Sequence, residues 1–232
     1  MHQPSAAFWR GKRVLLTGHT GFKGAWLALL LEKLGAEVTG FALAPEPGPS
    51  AFVALRPVIA SHIGDLRNAA AVQAAVQAAR PEIVLHLAAQ ALVGRGYRDP
   101  EGTFASNVTG TIHLMQAMRG AGVHAALMIT SDKVYRNDNQ GRAFRENDPL
   151  GGHDPYSASK AACEIAVASW RASFGTEIGT IATARAGNVI GGGDFGAERL
   201  IPDLVRARMA DETLIIRRPD ATRPFQHVLD VL

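Results

Sequence analysis

The chain has 232 residues, 47% of them hydrophobic, 19% charged and 6% aromatic. That apolar share excludes global disorder, and no apolar run reaches the ~18 residues needed to span a bilayer. The formal net charge is +3, from 24 Lys and Arg against 21 Asp and Glu. The basic residues are scattered and no aromatic-studded basic segment occurs, so the expectation is no nucleic acid and no membrane partner. One cysteine, Cys163, excludes an internal disulfide framework and a Cys-based zinc site, and no metal is expected. Met1 to Arg10 lacks the basic-then-apolar pattern of a secretory signal, which makes a cytoplasmic address the default expectation.

Val14 to Thr17 is a short apolar run that predicts a buried strand. Phe22 to Leu34 has helical length and Gly35 ends it, Glu37 to Leu43 predicts a second strand, and the proline-rich 44–50 segment predicts a loop. Ile59 to Ile63 follows as a third strand, Ala69 to Ala79 as an Ala-rich helix broken by Pro81, and Ile83 to Leu87 as a fourth strand. Phe104 to Met118 predicts a helix, Ala126 to Thr130 a fifth strand, 132–154 a long polar loop, Tyr156 to Phe174 a strong helix, and Thr180 to Ala186 a sixth strand. Alternating strands and helices imply an α/β fold with a doubly wound parallel sheet. After Asn188 the pattern changes. Gly191-Gly192-Gly193 predicts a turn, Leu200 to Met209 a helix, and Leu214 to Arg217 and Phe225 to Leu229 short strands. The chain stops at Leu232 straight after an apolar segment, an end that reads as a cut through a smaller C-terminal lobe.

Gly18-His19-Thr20-Gly21-Phe22-Lys23-Gly24 directly follows the first strand and opens the first helix. In that context a G-x-x-G-x-x-G pattern suits a dinucleotide: glycine lets the backbone approach a pyrophosphate, and a helix N-terminus supplies N–H groups and partial positive charge. Phe41-Ala42-Leu43-Ala44 offers neither an acid for a ribose nor an Arg for a 2′-phosphate, so spacing leaves NAD and NADP both open. Asp65, in Gly64-Asp65-Leu66, stands where an adenine would lie; a helix N-terminal acid is the alternative reading.

Tyr156 and Lys160, four apart on a predicted helix, project together. An ammonium beside a phenol favours the phenolate, which lets tyrosine accept a proton from a hydroxyl while hydride leaves for a nicotinamide. Thr130-Ser131-Asp132-Lys133 ends the fifth strand, where open α/β sheets place ligands, and Ser131 there can hydrogen-bond the reacting hydroxyl.

Together these residues resemble the extended short-chain dehydrogenase/reductases, in their nucleotide-sugar branch. Leu87-Ala88-Ala89-Gln90 matches the fourth-strand motif of that branch, and Asn107 its helix asparagine. The finer resemblance is to the CDP-glucose 4,6-dehydratase family: GHTGFKG at Gly18–Gly24, TSDK at Thr130–Lys133, RAGNVIGGGD at Arg185–Asp194, LIPD at Leu200–Asp203 and RPFQHV at Arg223–Val228. The resemblance implies a Rossmann domain over residues 9–190 that binds NAD, and the start of an incomplete substrate-binding lobe over 191–232. It implies conversion of CDP-D-glucose to CDP-4-dehydro-6-deoxy-D-glucose by oxidation at C4, elimination of water across C5 and C6, and hydride return to C6. The cofactor residues it implies are Gly18, Thr20, Gly21, Phe22, Lys23, Gly24, Asp65, Leu66, Leu87, Ala88, Ala89, Asn107, Tyr156 and Lys160. The catalytic residues are Ser131, Asp132, Lys133, Tyr156 and Lys160, with Asp132 the acid at C6 and Lys133 standing where the dTDP-glucose dehydratases carry a glutamate base.

Substrate contacts by the same resemblance are Gln90, Asn188, Arg199, Arg217, Arg223 and His227. Arg223 is the expected partner of the diphosphate, since a guanidinium forks onto phosphate oxygens. For Arg199 and Arg217 a surface charge, and for His227 a packed strand histidine, are the alternatives. A homodimer or dimer of dimers through helices 104–118 and 156–174 is expected of the superfamily. The chain departs from the pattern at Gly94-Arg95-Gly96-Tyr97, where Arg-x-Ser-Tyr is expected, and at Val134 and Arg136. The other readings are a 4-epimerase or reductase on the same scaffold, for which the Asp132–Lys133 pair is superfluous, and a non-catalytic NAD-binding scaffold, for which Ser131, Tyr156 and Lys160 are.

Overall fold

The computed structural model describes residues 4–139, 141–216 and 218–232. A short helix α1 (Ala6–Trp9), capped by Ser5, leads into β1 (Arg13–Thr17). Next come α2 (Phe22–Lys33), β2 (Glu37–Ala42), α3 (Ala51–Leu55), β3 (Ala60–Ile63), α4 (Ala69–Ala79) and β4 (Ile83–His86). Two short helices, α5 (Val93–Arg98) and α6 (Pro100–Phe104), run through a π-turn at Ala105–Thr109 into α7 (Gly110–Met118). The remainder is β5 (Ala125–Ile129), a 3₁₀ turn at Asp132–Val134, α8 (Pro155–Ile178), β6 (Thr180–Ala184), β7 (Asn188–Ile190), α9 (Leu200–Ala210) and β8 (Phe225–His227).

Six strands form one sheet in the order β3-β2-β1-β4-β5-β6, every pair parallel. The chain winds outward from β1 to β3, then returns to lay β4 beside β1. The order reverses there, and the carboxyl ends of β1 and β4 open the crevice where such sheets bind ligands. Alternation along β1 sends Leu15 into a cluster with Val72, Val76, Leu114, Met115 and Val167 on one face. Val14 and Leu16 join Leu27, Ala28, Leu31 and Leu85 on the other. Burial on both faces is why these strands read as continuous apolar runs.

Several expectations need correction. The helix expected from Phe104 to Met118 starts earlier, at Pro100, and passes through the π-turn. Residues 214–216 form no strand: among the described residues none pairs with them, and Ile215 stays 82% exposed. Arg217, with which that strand was to end, lies outside the described residues. The strand at Phe225 ends at His227 and turns into a 3₁₀ segment over Val228–Asp230. Its partner β7 was not foreseen; Asn188, Val189 and Ile190 register with Phe225, Gln226 and His227 in a separate two-stranded parallel sheet. That sheet sits by the start of α2: the Trp26 indole N–H donates to the Gly192 carbonyl at 2.8 Å, and a Cβ on Gly191 would lie 3.2 Å from the Phe22 ring.

Candidate active site

The glycine loop turns from β1 into α2 under tight contacts. Gly18 has φ +78°, and a Cβ there would stand 2.6 Å from the Ala88 nitrogen on β4's carboxyl side. A Cβ on Gly24 would lie 2.0 Å from the Gly18 carbonyl oxygen, so the first and third glycines seat the loop against β4 and the helix against the loop. Gly21, the exposed N-cap of α2, supplies no side-chain cap, and the first turn holds no acid. The helix start is thus a backbone cradle open to an anion, which fits a dinucleotide pyrophosphate. Thr20 closes the loop's outer side by donating to the Leu43 carbonyl at 2.9 Å.

His19, which sequence reasoning passed over, is fully buried, with Nε2 2.7 Å from the Ser61 hydroxyl and its ring edge-on to Phe52. Gly40 leaves the space: a Cβ there would lie 2.5 Å from the imidazole. Burial pushes the His19 pKa down to about 4. Asp65 is engaged by Arg67 through its backbone N–H and two guanidinium contacts at 2.6–2.9 Å. Those hydrogen bonds hold its carboxyl below the usual range. Asn68, not Asp65, caps α4. Leu66 is buried beneath, and His113 Nδ1 stands 2.9 Å from its carbonyl oxygen.

Leu87, Ala88, Ala89 and Gln90 leave β4 half-buried at the switch point. Asn107, 1% exposed within the π-turn, grips Gln90 at both ends of its backbone: Oδ1 accepts from the Gln90 N–H at 2.8 Å and Nδ2 donates to the Gln90 carbonyl at 3.1 Å. Nδ2 also donates to the Ser159 hydroxyl at 2.8 Å, which ties the cofactor side to α8. The Gln90 carboxamide, expected on the substrate, is occupied inside the chain by Leu92 and Thr103.

On the opposite wall, Asp154 caps α8 by accepting from the Ser157 N–H at 3.0 Å, and Pro155 opens the first turn. This helix presents Tyr156, 8% exposed, and Lys160, 6% exposed. Glu164, one turn on, binds α8 to the ends of β5 and β6. It accepts from Thr130, from Thr183 at 2.8 Å and from Arg185 at 2.9 and 3.0 Å. Burial pushes the Glu164 carboxyl up, but those donors outweigh it and hold the pKa below normal.

Ser131 is thereby set at the carboxyl end of β5, where it caps the 3₁₀ turn carrying Asp132 and Lys133. Asp132 and Lys133 are half-buried rather than solvated loop charges.

The expected coupling of Tyr156 to Lys160 takes another form. Burial dominates and holds the Tyr156 phenol above its usual pKa, with Ser131 and the charge of Arg199 offsetting it only in part. The Lys160 ammonium donates to the Ile129 carbonyl at 3.0 Å, and burial lowers its pKa. Arg199, from a segment distant in sequence, adds a lesser downward pull on the phenol, and its guanidinium is anchored on Asp194 at 2.9 and 3.0 Å. Arg199 is thus half-buried and ion-paired rather than a free surface charge. For Lys23, burial and the charges of Lys160 and Arg199 push the pKa down to about 8, against the pull of Asp132.

Asn188 is half-buried in β7. Arg223 is exposed and donates to the Thr222 carbonyl at 2.8 Å. His227 is exposed too, with Nδ1 accepting from the Leu229 N–H at 3.3 Å, so it is not the packed strand histidine of the alternative reading. Among the described residues no cluster of His, Cys, Asp or Glu is arranged to hold a metal.

A parallel sheet reversing at β1 and β4, with a glycine cradle beside that reversal, is the architecture of a dinucleotide-binding fold. The family model described as "NAD dependent epimerase/dehydratase family" matches residues 14–232, and the chain belongs to that family. It is 46% identical, over 97% of its length, to CDP-glucose 4,6-dehydratase of Salmonella typhimurium, and 29% identical, over 86%, to dTDP-glucose 4,6-dehydratase of Xanthomonas campestris. It spans 65% and 59% of the lengths of those two relatives. Among solved structures, DesIV (a dTDP-glucose 4,6-dehydratase) from Streptomyces venezuelae, crystallised with NAD, superposes with a TM-score of 0.83 at 26% identity. That match covers 94% of this chain and 70% of DesIV.

Proposed function

We propose that the chain carries the NAD site and catalytic machinery of a nucleotide-sugar 4,6-dehydratase, a hydro-lyase acting on CDP-D-glucose. The observation that carries this reading is the Ser131-Asp132-Lys133 turn facing Tyr156, in a chain 46% identical to a CDP-glucose 4,6-dehydratase over nearly its whole length. The glycine cradle, Asp65, Leu66, the 87–89 segment and Asn107 would hold NAD, which when bound takes the hydride from C4 and returns it to C6.

Tyr156, as the phenolate, takes the C4 hydroxyl proton, and Ser131 orients that hydroxyl. The resulting ketone acidifies the C5 proton. Lys133 stands in the turn from which a base would remove it, and Asp132 delivers a proton to the departing C6 hydroxyl. As hydride returns to C6, the proton taken from C5 is given back to C5, so the products are water and a 4-keto-6-deoxy sugar, with no net oxidation. Arg199 and Arg223 would face the diphosphate and Asn188 and His227 the sugar nucleotide, with residues 191–232 contributing part of the substrate lobe and 9–190 the cofactor domain. A homodimer through the faces of α7 and α8 is part of the same reading. Among the described residues no helix is long and apolar enough to cross a membrane.

The test offers the chain CDP-, dTDP-, GDP- and UDP-hexoses separately and follows each by mass spectrometry without added NAD. Loss of one water from CDP-glucose is the expected result. Loss from another nucleotide sugar alone would keep the chemistry and reject the substrate, and a change of configuration without water loss would favour the epimerase reading.

A further inference from the structure

A second polar chain runs beneath the site, and the proposed chemistry uses none of its hydrogen bonds. His86 closes β4 and is 4% exposed. Its Nδ1 lies 2.7 Å from the Thr17 hydroxyl on β1, and its Nε2 lies 3.0 Å from the Thr111 hydroxyl on α7. The proton positions follow from partners that act in one sense only. The Thr111 hydroxyl stands 2.5 Å from the Asn107 backbone carbonyl, which can only accept, so its single proton is committed there. Thr111 must then accept from an Nε2–H. A neutral imidazole carries one N–H, so Nδ1 accepts, and Thr17 donates to it. Thr17 in turn accepts from the Ala88 N–H at 3.2 Å.

The bonds therefore run one way, from Ala88 through Thr17, His86 and Thr111 to the Asn107 carbonyl. Cys163 Sγ on α8 donates to the same carbonyl at 3.0 Å. Burial and the nearby Lys160 ammonium keep the imidazole neutral. The receiving carbonyl belongs to the π-turn, a break in the regular helical ladder of the kind often found at functional sites. Through its side chain the same residue holds Gln90 and Ser159.

We propose that His86 is a positioning residue: as its Nε2–H tautomer it sets the β1–β4 switch point against the π-turn, so that Asn107 holds Gln90 and Ser159 at the dinucleotide pocket. The inference rests on the dinucleotide reading of that pocket. It makes a claim about a proton that a merely space-filling histidine does not.

The test has two arms, both on the full chain. Long-range ¹H–¹⁵N spectra of the histidine-labelled protein, with the His86 signals identified by their loss in His86→Gln, read the tautomer directly. The expected result is a neutral ring protonated at Nε2, unchanged as the pH is lowered to 5. A proton on Nδ1, or a titration midpoint near 6.5, would overturn the proposal. In the second arm NAD is titrated into the unaltered chain, His86→Gln and His86→Asn. A Gln amide can restore the donor to Thr111, whereas an Asn amide stops short of it. NAD affinity is expected within about threefold of the unaltered chain for His86→Gln and roughly tenfold or more weaker for His86→Asn. Equal losses in both variants would reduce His86 to packing and end the positioning role alone. No NAD binding by the unaltered chain would sink the dinucleotide reading and the positioning role with it.

Discussion

The starts of α2 and α8 are built oppositely. At α8 the chain satisfies itself: Asp154 accepts from the first-turn N–H of Ser157, and Pro155 stands where an N–H would otherwise need a partner. At α2 the N-cap is a bare, exposed glycine with no acid in the first turn. A closed helix start holds Tyr156 and Lys160 still; an open one leaves its N–H groups for an incoming anion. The difference teaches that a missing cap is informative when the neighbouring glycines are packed too tightly to be slack, as Gly18 and Gly24 are.

The comparison breaks most visibly at the closed end. Tyr156→Phe keeps the helix start and removes the proton acceptor, so turnover is expected to fall roughly 10²–10⁴-fold with NAD affinity unchanged. An equal loss of NAD affinity would mean that Tyr156 holds the cofactor more than it handles the proton.

Acid titration tests the loop end next. His19 has its pKa depressed from 6.5 to about 4 in the fold. Its contribution to stability is therefore complete above pH 6.5 and is lost as the pH falls toward 4, at about 1.4 kcal/mol per unit crossed. Buried His86, also depressed, contributes over the same window. His19→Asn should therefore reduce the fall in melting temperature there by roughly half, and an unchanged slope would place the titrating group elsewhere.

Gly24→Ala places a methyl 2.0 Å from a backbone oxygen that cannot move aside, and is expected to cost about 1–3 kcal/mol in denaturant unfolding and to disrupt NAD binding. Gly21→Asp gives α2 the cap it lacks. The NAD-free chain should gain about 0.5 kcal/mol, while NAD affinity falls roughly tenfold as a carboxylate competes with the pyrophosphate. Unchanged affinity would show that the open helix start does not take the anion. The smallest effect is expected of Asp154→Ala, which removes the α8 cap at a cost of about 1 kcal/mol, or roughly 2–4 °C in melting temperature.

Strand and helix order, the glycine loop and the Tyr156–Lys160 pair were readable from the chain because each depends on neighbours a few residues apart. Periodicity, a tight turn or a shared helix face encodes them locally. The strand expected at residues 214–217 had local apolar character and no partner, which shows the limit of that signal. Other features rest on long separations. Arg199 bears on the Tyr156 phenol, Asp132 on the Lys23 ammonium, Asn107 grips Gln90, and His19 and His86 are buried and neutral. The sequence by itself determined which chemical groups the crevice contains. Only the tertiary structure decided which charge acts on which proton, because burial and the distance between side chains far apart in the chain come into being when the sheet closes.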